Sequence, residues 1–318
     1  MLGWLFLHWL RRRLRNRKAD ALTVVSCKIA HRVVRFGKLK GKIPLMFGAE
    51  MELNGENSID FFLIVYGVWE PALTHYLVHC LKRGRTFVDI GANVGYFSLL
   101  ASQMMGKSAK VIAVEASSEI FRKLSDNLSL NKASVRAVNF AALDRECEVE
   151  IVAGPKGNLG GTSIAVSSHS GEKILAKTVP SMLTPCELKG LQFIKIDVEG
   201  AEPAVVRGLI PAIEKAPLDL ELAIEVSPAM SQTLRMDAME MVNTLMKLGF
   251  TPYVLRNDVH PIVYRPTSGF GWKLFDGVIG ARADMIFTRK SENEFAGVFH
   301  RAKVSDLYGA LSKTAPIL

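Results

Sequence analysis

The sequence contains little cysteine and no long apolar run. Its four cysteines, Cys27, Cys80, Cys147 and Cys186, lie far apart and form no C-x-x-C pair. This spacing excludes the usual patterns of a zinc site, a redox pair and a disulfide-stapled secreted domain. The apolar residues 1–10 span only about 15 Å as a helix, half of a bilayer core. We therefore expect a globular protein of a reducing compartment, in the cytoplasm.

The positive charge is unevenly distributed along the chain. The net charge is +9, and six of the cations lie among residues 11–18. Tryptophan and leucine ahead of such a cluster are typical of a helix in the interface of an anionic membrane, and their order is the reverse of a secretory signal. Residues 1–18 are therefore predicted either to contact a membrane peripherally or to form a packed or disordered extension. No aromatic-basic recognition motif is present, so nucleic acid is not an expected partner.

Two common phosphate-binding motifs are also absent. The sequence has no G-x-x-x-x-G-K-[ST] loop. In the stretch GANVGY, which starts at Gly91, the second and third glycines of G-x-G-x-x-G would fall on Asn93 and Tyr96. Since those glycines let the backbone approach a pyrophosphate, the chain lacks the usual means of holding a dinucleotide or a nucleoside triphosphate.

Residues 86–116 do carry the pattern of strand, glycine turn, helix and strand. The strand at 86–90 runs into a turn bracketed by Gly91 and Gly95, and the next strand ends at Glu115. A turn before a helix offers backbone N–H groups to a ligand, and an acid about 20 residues further on is where a βαβ fold binds ribose hydroxyls. The pattern indicates an adenosine-containing ligand; the alternative is a plain tight turn beside a solvated Glu115.

Acidic residues also follow the later strands. The fourth predicted strand ends in FIKIDVEGAE, which contains Asp197 and Glu199, and the fifth carries Glu225 near its end. Ligands of open α/β sheets bind beyond the carboxyl ends of the strands. These carboxylates are therefore expected beside the ligand. Asp144, after the third strand, is placed either to accept a hydrogen bond from an adenine amine or to be an ordinary turn aspartate.

Three segments together resemble one known family. TFVDIGANVGYFSLLA, FIKIDVEGAE and the upstream GVWEP are similar to the FkbM family of S-adenosylmethionine-dependent methyltransferases, over residues of about 43–288. The resemblance implies the α/β class I methyltransferase fold, Rossmann-like, with a mostly parallel seven-stranded sheet, helices on both faces and an antiparallel last strand. We expect residues 1–42 to be an extension, 84–255 to be the cofactor core, and 289–318 to be a tail.

The resemblance also implies roles for individual residues. The methionine end of S-adenosylmethionine would be lined by Asp89, Gly91, Asn93 and Gly95. Glu115 would bind the ribose, and Asp144 would lie near the adenine. Tyr96, Ala116 and Ala142 are expected to contact the cofactor as well. Asp197 and Glu199 would face the transferred methyl group, and one of them, or Glu225, would accept the proton of the acceptor hydroxyl. No metal is expected, although the paired acids could hold a divalent ion that orients a diol.

The predicted reaction is O-methylation of a hydroxyl on a sugar, glycolipid or secondary-metabolite acceptor. The family usually has a Leu-Asp pair after the strand that ends at Val179, where this chain has Pro180, so the substrate pocket is expected to differ. Residues 154–172 and 256–282 are predicted to form its walls. A nicotinamide-dependent oxidoreductase and a membrane-recruited, non-catalytic binding protein are the alternatives. Each expected cofactor acid and glycine is present, which favours the methyltransferase.

Overall fold

The described part of the chain contains both strands and helices. The structure is a computed structural model that describes residues 2–15, 25–26, 29–30, 34, 40–53, 58–152, 154, 163–164, 171–257 and 261–314. In chain order, the strands are β1 (Gly41–Pro44), β2 (Glu50–Leu53), β3 (Thr86–Ile90), β4 (Lys110–Val114), β5 (Val135–Val138), β6 (Ala141–Ala142), β7 (Cys147–Val152), β8 (Ser163–Ile164), β9 (Glu172–Lys177), β10 (Leu191–Ile196), β11 (Glu221–Val226), β12 (Thr251–Leu255), β13 (Trp272–Leu274) and β14 (Ala283–Thr288). The helices are α1 (Leu2–Arg15), α2 (Ser58–Tyr66), α3 (Pro71–Cys80), α4 (Tyr96–Met105), α5 (Ser118–Leu130), α6 (Val179–Met182), α7 (Pro185–Lys189), α8 (Glu202–Ile213), α9 (Pro228–Thr233), α10 (Ala238–Lys247), α11 (Glu292–Phe299) and α12 (Val304–Thr314).

The central sheet has the strand order β13-β12-β14-β11-β10-β3-β4-β5. The strands from β11 to β5 are parallel neighbours, and β14 runs antiparallel between β11 and β12. The predicted mostly parallel sheet with an antiparallel last strand is confirmed. The predicted number of seven strands is wrong by one, because Trp272–Leu274, inside the segment 256–282 that was predicted as a wall of the substrate pocket, pairs antiparallel with β12.

Helices cover both faces of this sheet, as predicted. Within β3 the side chains alternate: Phe87 belongs to one apolar cluster and Val88 to the other. On the first face α4 buries Leu99, and on the second α8 buries Val205. A parallel strand covered on both faces is a near-continuous apolar run, which explains why TFVDI is buried at all five positions.

A four-stranded sheet with the order β6-β9-β7-β8 lies beside the central one. β6 and β9 are parallel, and β7 pairs antiparallel with both β9 and β8. Through Ile151 on β7 and Ser163 on β8, this sheet contributes to the wall of the cavity described below. Most of the segment 154–172, which was predicted to form a wall of the substrate pocket, lies outside the described residues.

Helix α1 packs against the rest of the protein. Leu7, Leu10 and Leu14 are each at most 1% exposed and belong to the same cluster as Leu307 and Leu311 of α12. The apolar face that was a candidate for membrane contact is therefore covered by protein along these three leucines. Both terminal segments share the core of the domain.

The side chain of Arg11 is buried beneath α1. Its guanidinium donates hydrogen bonds to the carbonyl oxygens of Pro44, Leu63 and Ile64. Two of these carbonyls lie in the last turn of α2, where helix carbonyls have no partner within the helix and a cation is favoured. Arg11 therefore fixes α1 to the end of α2.

Among the described residues, no single helix has the length and apolar composition needed to cross a bilayer. The helices Ile59–Tyr66 and Pro71–Cys80 have that length and composition only when they are taken together, and they are bent by 69° relative to each other.

Candidate active site

A cavity of about 300 Å³ lies at the carboxyl ends of β3, β4, β10 and β11. This is the edge at which the acids and the glycine turn were expected to meet. The predicted residues that line it are Gly91, Asn93, Glu115, Ala116, Ala142, Asp197, Glu199 and Glu225. The structure thus brings together eight of the residues that the sequence singled out.

The turn after β3 depends on glycine. Gly91 has a φ of 75°, and a Cβ added there would lie 1.8 Å from the backbone oxygen of Asp197. Only a residue without a side chain lets the turn approach the end of β10 this closely. Asn93 also has a left-handed φ, of 50°, and its N–H donates a hydrogen bond to Glu115. The turn is therefore tied to both neighbouring strands.

Glu115 is 6% exposed and forms part of the cavity wall. Its carboxylate accepts hydrogen bonds from the N–H groups of Asn93, at 2.9 Å, and Ser117, at 3.0 Å. Burial raises its pKa to about 7, against the lowering effect of these two N–H groups. An ionised carboxylate has about four acceptor positions, so capacity remains for the hydroxyls of a ligand.

The wall beside Glu115 is mostly apolar. Ile120 of α5 and Phe140, just before β6, line it together with Ala142. The ammonium group of Lys177 lies 4.3 Å from the centroid of the Phe140 ring. Ile120 and Phe140 were not predicted as site residues, because an isolated apolar residue at a strand or helix end resembles any core residue in sequence.

Asp144 lies outside the cavity wall, and its predicted contact with the adenine stays a prediction. Its carboxylate accepts hydrogen bonds from Arg207 at 2.9 Å and Arg145 at 3.1 Å, and it is not among the residues that line the cavity. The backbone of Leu143 and Asp144 packs closely on Gly208 of α8. This contact places Asp144 near Arg207, which precedes Gly208 in α8, and away from the cavity.

Asp89, Gly95 and Tyr96 lie behind the cavity wall. Asp89 is 1% exposed and accepts a hydrogen bond from the hydroxyl of Ser98 at 2.6 Å. Gly95 starts α4 with a φ of 95°, and the buried Tyr96 hydroxyl lies 3.2 Å from that of Thr74. These three predicted contact residues therefore support the turn and do not line the cavity.

Among the described residues, five carboxylates gather beside the glycine turn, around two cations. Asp197, Glu199 and Glu225 each place an oxygen within 4.8 Å of the others. Glu70 and Asp284 complete this group, which we call the acid cluster. Strand order explains it: Ile196 pairs with Ile224 in register, so Asp197 follows beside Glu225, and Glu225 in turn pairs with Asp284.

Lys195 and Arg282 balance part of this negative charge. The ammonium of Lys195 lies 2.9 Å from Asp197, and the guanidinium of Arg282 lies 3.0 Å from Glu225 and 4.0 Å from Asp284. The spacing of three of the acids would suit a divalent ion, but two of those three already have a cationic partner. We therefore assign no metal to the acid cluster.

Burial raises the pKa of most carboxyl groups in the acid cluster. The pKa of Glu199 rises to about 7, mainly because of burial and then because of the charge of Asp197. Burial and neighbouring acids likewise raise the pKa values of Glu70, Glu225 and Asp284. These shifts favour the protonated form of the four carboxyl groups.

Two members of the acid cluster have unusual backbone conformations. Glu70 has a φ of 42° and Glu199 a φ of 53°, a region that residues with side chains rarely adopt and that is concentrated at functional sites. Glu70 and the neighbouring Trp69 also line the cavity. They belong to the GVWEP segment, whose resemblance was noted without assigning either residue a role.

The sequence matches the methyltransferase FkbM domain over residues 89–252, about half of the chain. The chain belongs to the FkbM methyltransferase family. It is a methyltransferase, and its cofactor is S-adenosylmethionine. None of the proteins with curated functions matches the sequence.

Several solved methyltransferase structures are similar to this chain. The precorrin-6y C5,15-methyltransferase from Geobacter metallireducens is 15% identical, with 70% of this chain and 87% of that one covered and a TM-score of 0.36. Aeropyrum pernix fibrillarin with bound S-adenosyl-L-methionine is 14% identical, with coverage of 69% and 73% and a TM-score of 0.38. An O-methyltransferase from Bacillus cereus in complex with S-adenosylhomocysteine is 11% identical, with coverage of 69% and 80% and a TM-score of 0.39. Similarities of this size carry no information about the acceptor.

Proposed function

We propose that this methyltransferase transfers the methyl group to a hydroxyl of a sugar, a glycolipid or a secondary metabolite. The proposal rests on one observation: the glycine turn, the buried carboxylate of Glu115 and four members of the acid cluster line a single cavity. The turn and Glu115 have the groups that a nucleoside needs. The acid cluster has groups that can accept a proton from a hydroxyl.

The residues around Glu115 fit the cofactor. Glu115 would bind the ribose hydroxyls, and the apolar side chains of Ile120 and Phe140 would flank the adenine. Gly91 and Asn93 of the turn line the same cavity and would contact the methionine part. When bound, S-adenosylmethionine supplies a methyl group that its sulfonium has already activated.

The acid cluster would supply the remaining functions. A hydroxyl loses its proton as its oxygen attacks the methyl group, and Glu199, with a pKa near 7, can accept that proton at neutral pH. Asp197 is held by Lys195 and would orient the hydroxyl through a hydrogen bond. Alignment of the acceptor oxygen with the carbon–sulfur bond provides the rest of the rate acceleration.

Calorimetry with two ligands tests the cofactor assignment. S-adenosylhomocysteine should bind the full-length protein, whereas NADH should not, because a dinucleotide needs the glycines that Asn93 and Tyr96 replace. The Glu115→Gln variant should bind S-adenosylhomocysteine more weakly, by roughly tenfold, since one charged hydrogen-bond acceptor is lost. Tighter binding of NADH would contradict the proposal.

Transfer of labelled methyl groups to a panel of sugars and glycolipids tests the reaction. Asp197→Asn and Glu199→Gln should each lower transfer while S-adenosylhomocysteine affinity stays unchanged. Near-normal turnover in both variants would show that neither acid acts in the reaction.

The peripheral membrane contact of residues 1–18 stays a prediction. On α1 the side chain of Trp9 is 39% exposed, Arg12 is exposed, and the guanidinium of Arg13 lies 5.1 Å from the Trp9 ring centroid. Sedimentation with anionic vesicles should carry the wild-type protein down, and the Trp9→Ala/Arg12→Gln variant less so. Equal sedimentation of both forms would remove this prediction.

A further inference from the structure

A groove of about 630 Å³ lies beside the acid cluster, at the carboxyl end of β12. The register of the sheet places the two next to each other: Glu225 pairs with Asp284, Asp284 with Leu255, and Leu255 with Trp272. The side chain of Arg282 lines both this groove and the cofactor cavity. Only the Arg282 side chain would therefore separate a molecule in the groove from the cofactor cavity.

Asn257 is an unusual member of the groove wall. It is 6% exposed, and among the described residues neither its amide oxygen nor its amide nitrogen has a hydrogen-bond partner of normal geometry. The amide does lie close enough to Asp284 to lower the pKa of that carboxyl group. Asn257 also lines a small space of about 10 Å³ shared with Glu70, Asp197 and Glu225. A buried amide without partners is costly, and a hydroxyl group, which both donates and accepts, can satisfy both of its atoms.

Basic residues predominate among the charged residues of the groove wall. Arg256, Lys273 and Arg282 line it, with Asp284 at the boundary. Arg256 and Lys273 are exposed, and the Lys273 ammonium pairs with Asp276, also exposed, at 2.7 Å. Because the positive end lies away from the acids, the electrostatic field favours a ligand with an anionic group at that end.

An aromatic ring completes the groove. Trp272 is half-buried, and its ring makes edge contacts with Tyr253 at 5.8 Å and Phe295 at 5.3 Å between centroids. These contacts hold the indole in place as part of the wall. An amphipathic ring of this kind suits a partly apolar, hydroxylated ligand such as a sugar.

We propose that this groove binds the methyl acceptor, and that the acceptor is a hydroxylated molecule carrying a carboxylate or phosphate group. Its reacting hydroxyl would face the acid cluster, a second hydroxyl would bind the Asn257 amide, and the anionic group would lie at Arg256 and Lys273. This inference rests on the proposed O-methyl transfer and adds the substrate class.

Saturation-transfer NMR on the full-length protein with S-adenosylhomocysteine tests the inference. The probes are glucuronate, glucose 6-phosphate and glucose at equal concentration. Both anionic sugars should receive more saturation than glucose; transfer to only one of them would identify carboxylate or phosphate as the recognised group. Arg256→Gln should weaken binding of the anionic sugars by about tenfold, the effect of losing one charge-assisted hydrogen bond, and should leave glucose unchanged.

Two further variants separate recognition from folding. Asn257→Leu keeps the size of the side chain and should weaken all three sugars without changing S-adenosylhomocysteine affinity. Arg83→Gln removes an exposed cation just before the start of β3, at the opposite end of the strands from the groove. This variant should bind all three sugars as the wild type does. Equal signals for glucose and the anionic sugars, absence of transfer to all three, or equal effects of Arg256→Gln and Arg83→Gln would overturn the inference. If S-adenosylhomocysteine itself fails to bind, the proposed function fails first.

Discussion

At the scale of single residues, Gly91 sets the distance between the two halves of the site. It lies in the turn that would carry the methionine part of the cofactor, and its missing side chain lets the backbone of Asp197 pass close by. The position of the acid cluster relative to the cofactor therefore depends on a residue that has no side chain.

Replacement of Gly91 by alanine should abolish S-adenosylhomocysteine binding and strongly destabilise the fold. The Cβ would lie 1.8 Å from a backbone oxygen that cannot move without displacing β10. Gly84→Ala is the matched control, because its φ of 73° is nearly the same as the 75° of Gly91 while its nearest neighbour is 3.5 Å away. The free energy of unfolding of that variant should fall by only about 1–2 kcal/mol, the cost of an alanine in the left-handed conformation. Calorimetry and thermal unfolding measure both effects; similar losses in the two variants would contradict the steric argument.

The pH dependence of methyl transfer should report Glu199. A carboxyl group with a pKa near 7 is ionised above that pH, so the rate should rise as the pH increases through about 7. Glu199→Gln should remove this inflection and slow transfer by roughly 100-fold, as expected for loss of a general base. S-adenosylhomocysteine affinity should stay the same. If the inflection persists in the variant, the group that titrates must be another member of the acid cluster.

At the scale of secondary-structure elements, α1 is held to the domain by Arg11. Arg11→Gln should lower the free energy of unfolding by roughly 2–3 kcal/mol, because up to three carbonyl acceptors lose a charged donor in a buried place. Arg12→Gln, which removes the same charge from an exposed neighbour, should have almost no effect. Chemical denaturation of the two variants measures the difference. An equally small change in both would show that the contact of α1 is dispensable.

The elements were predictable where local chemistry defines them. The glycine turn between β3 and α4 follows from residues close in sequence. Elements defined by distant partners were less predictable: β13 needs β12 to pair with. Asp144 faces a partner 63 residues further along the chain, which no local pattern reveals.

At the scale of the whole molecule, buried carboxylates should make the ligand-free protein less stable as the pH rises. Glu202 is 1% exposed, and burial raises its pKa from 4.5 to about 7. The folded state thus favours the protonated form, so its contribution to stability is complete below pH 4.5 and declines as the pH increases to about 7.

Comparison with Glu202→Gln isolates this contribution. The variant cannot ionise at this position. Between pH 4.5 and 7, the free energy of unfolding of the wild type should therefore fall by on the order of 2 kcal/mol relative to that of the variant. Glu214→Gln, at an exposed position on the surface after α8, should track the wild type at every pH. Thermal unfolding across this range provides the measurement, and a constant difference between wild type and Glu202→Gln would refute the expectation.

The composition of the acid cluster shows where sequence reasoning ends. Asp197, Glu199 and Glu225 were found because each lies at the end of a recognisable strand. Asp284 was missed because β14, the last strand in sequence, inserts between β11 and β12, and only this strand order places Asp284 beside Glu225. Lateral neighbours in a sheet depend on the path of the whole chain.

The insertion of β14 also determines how the protein can be shortened for expression. The span that matches the family ends at residue 252, whereas β14 comprises residues 283–288. A polypeptide cut at 252 would lack β14, β13 and most of β12, so β11 would become an unpaired edge strand, and such edges promote aggregation. Any useful shortened form must therefore extend past Thr288, well beyond the limits of the recognisable domain.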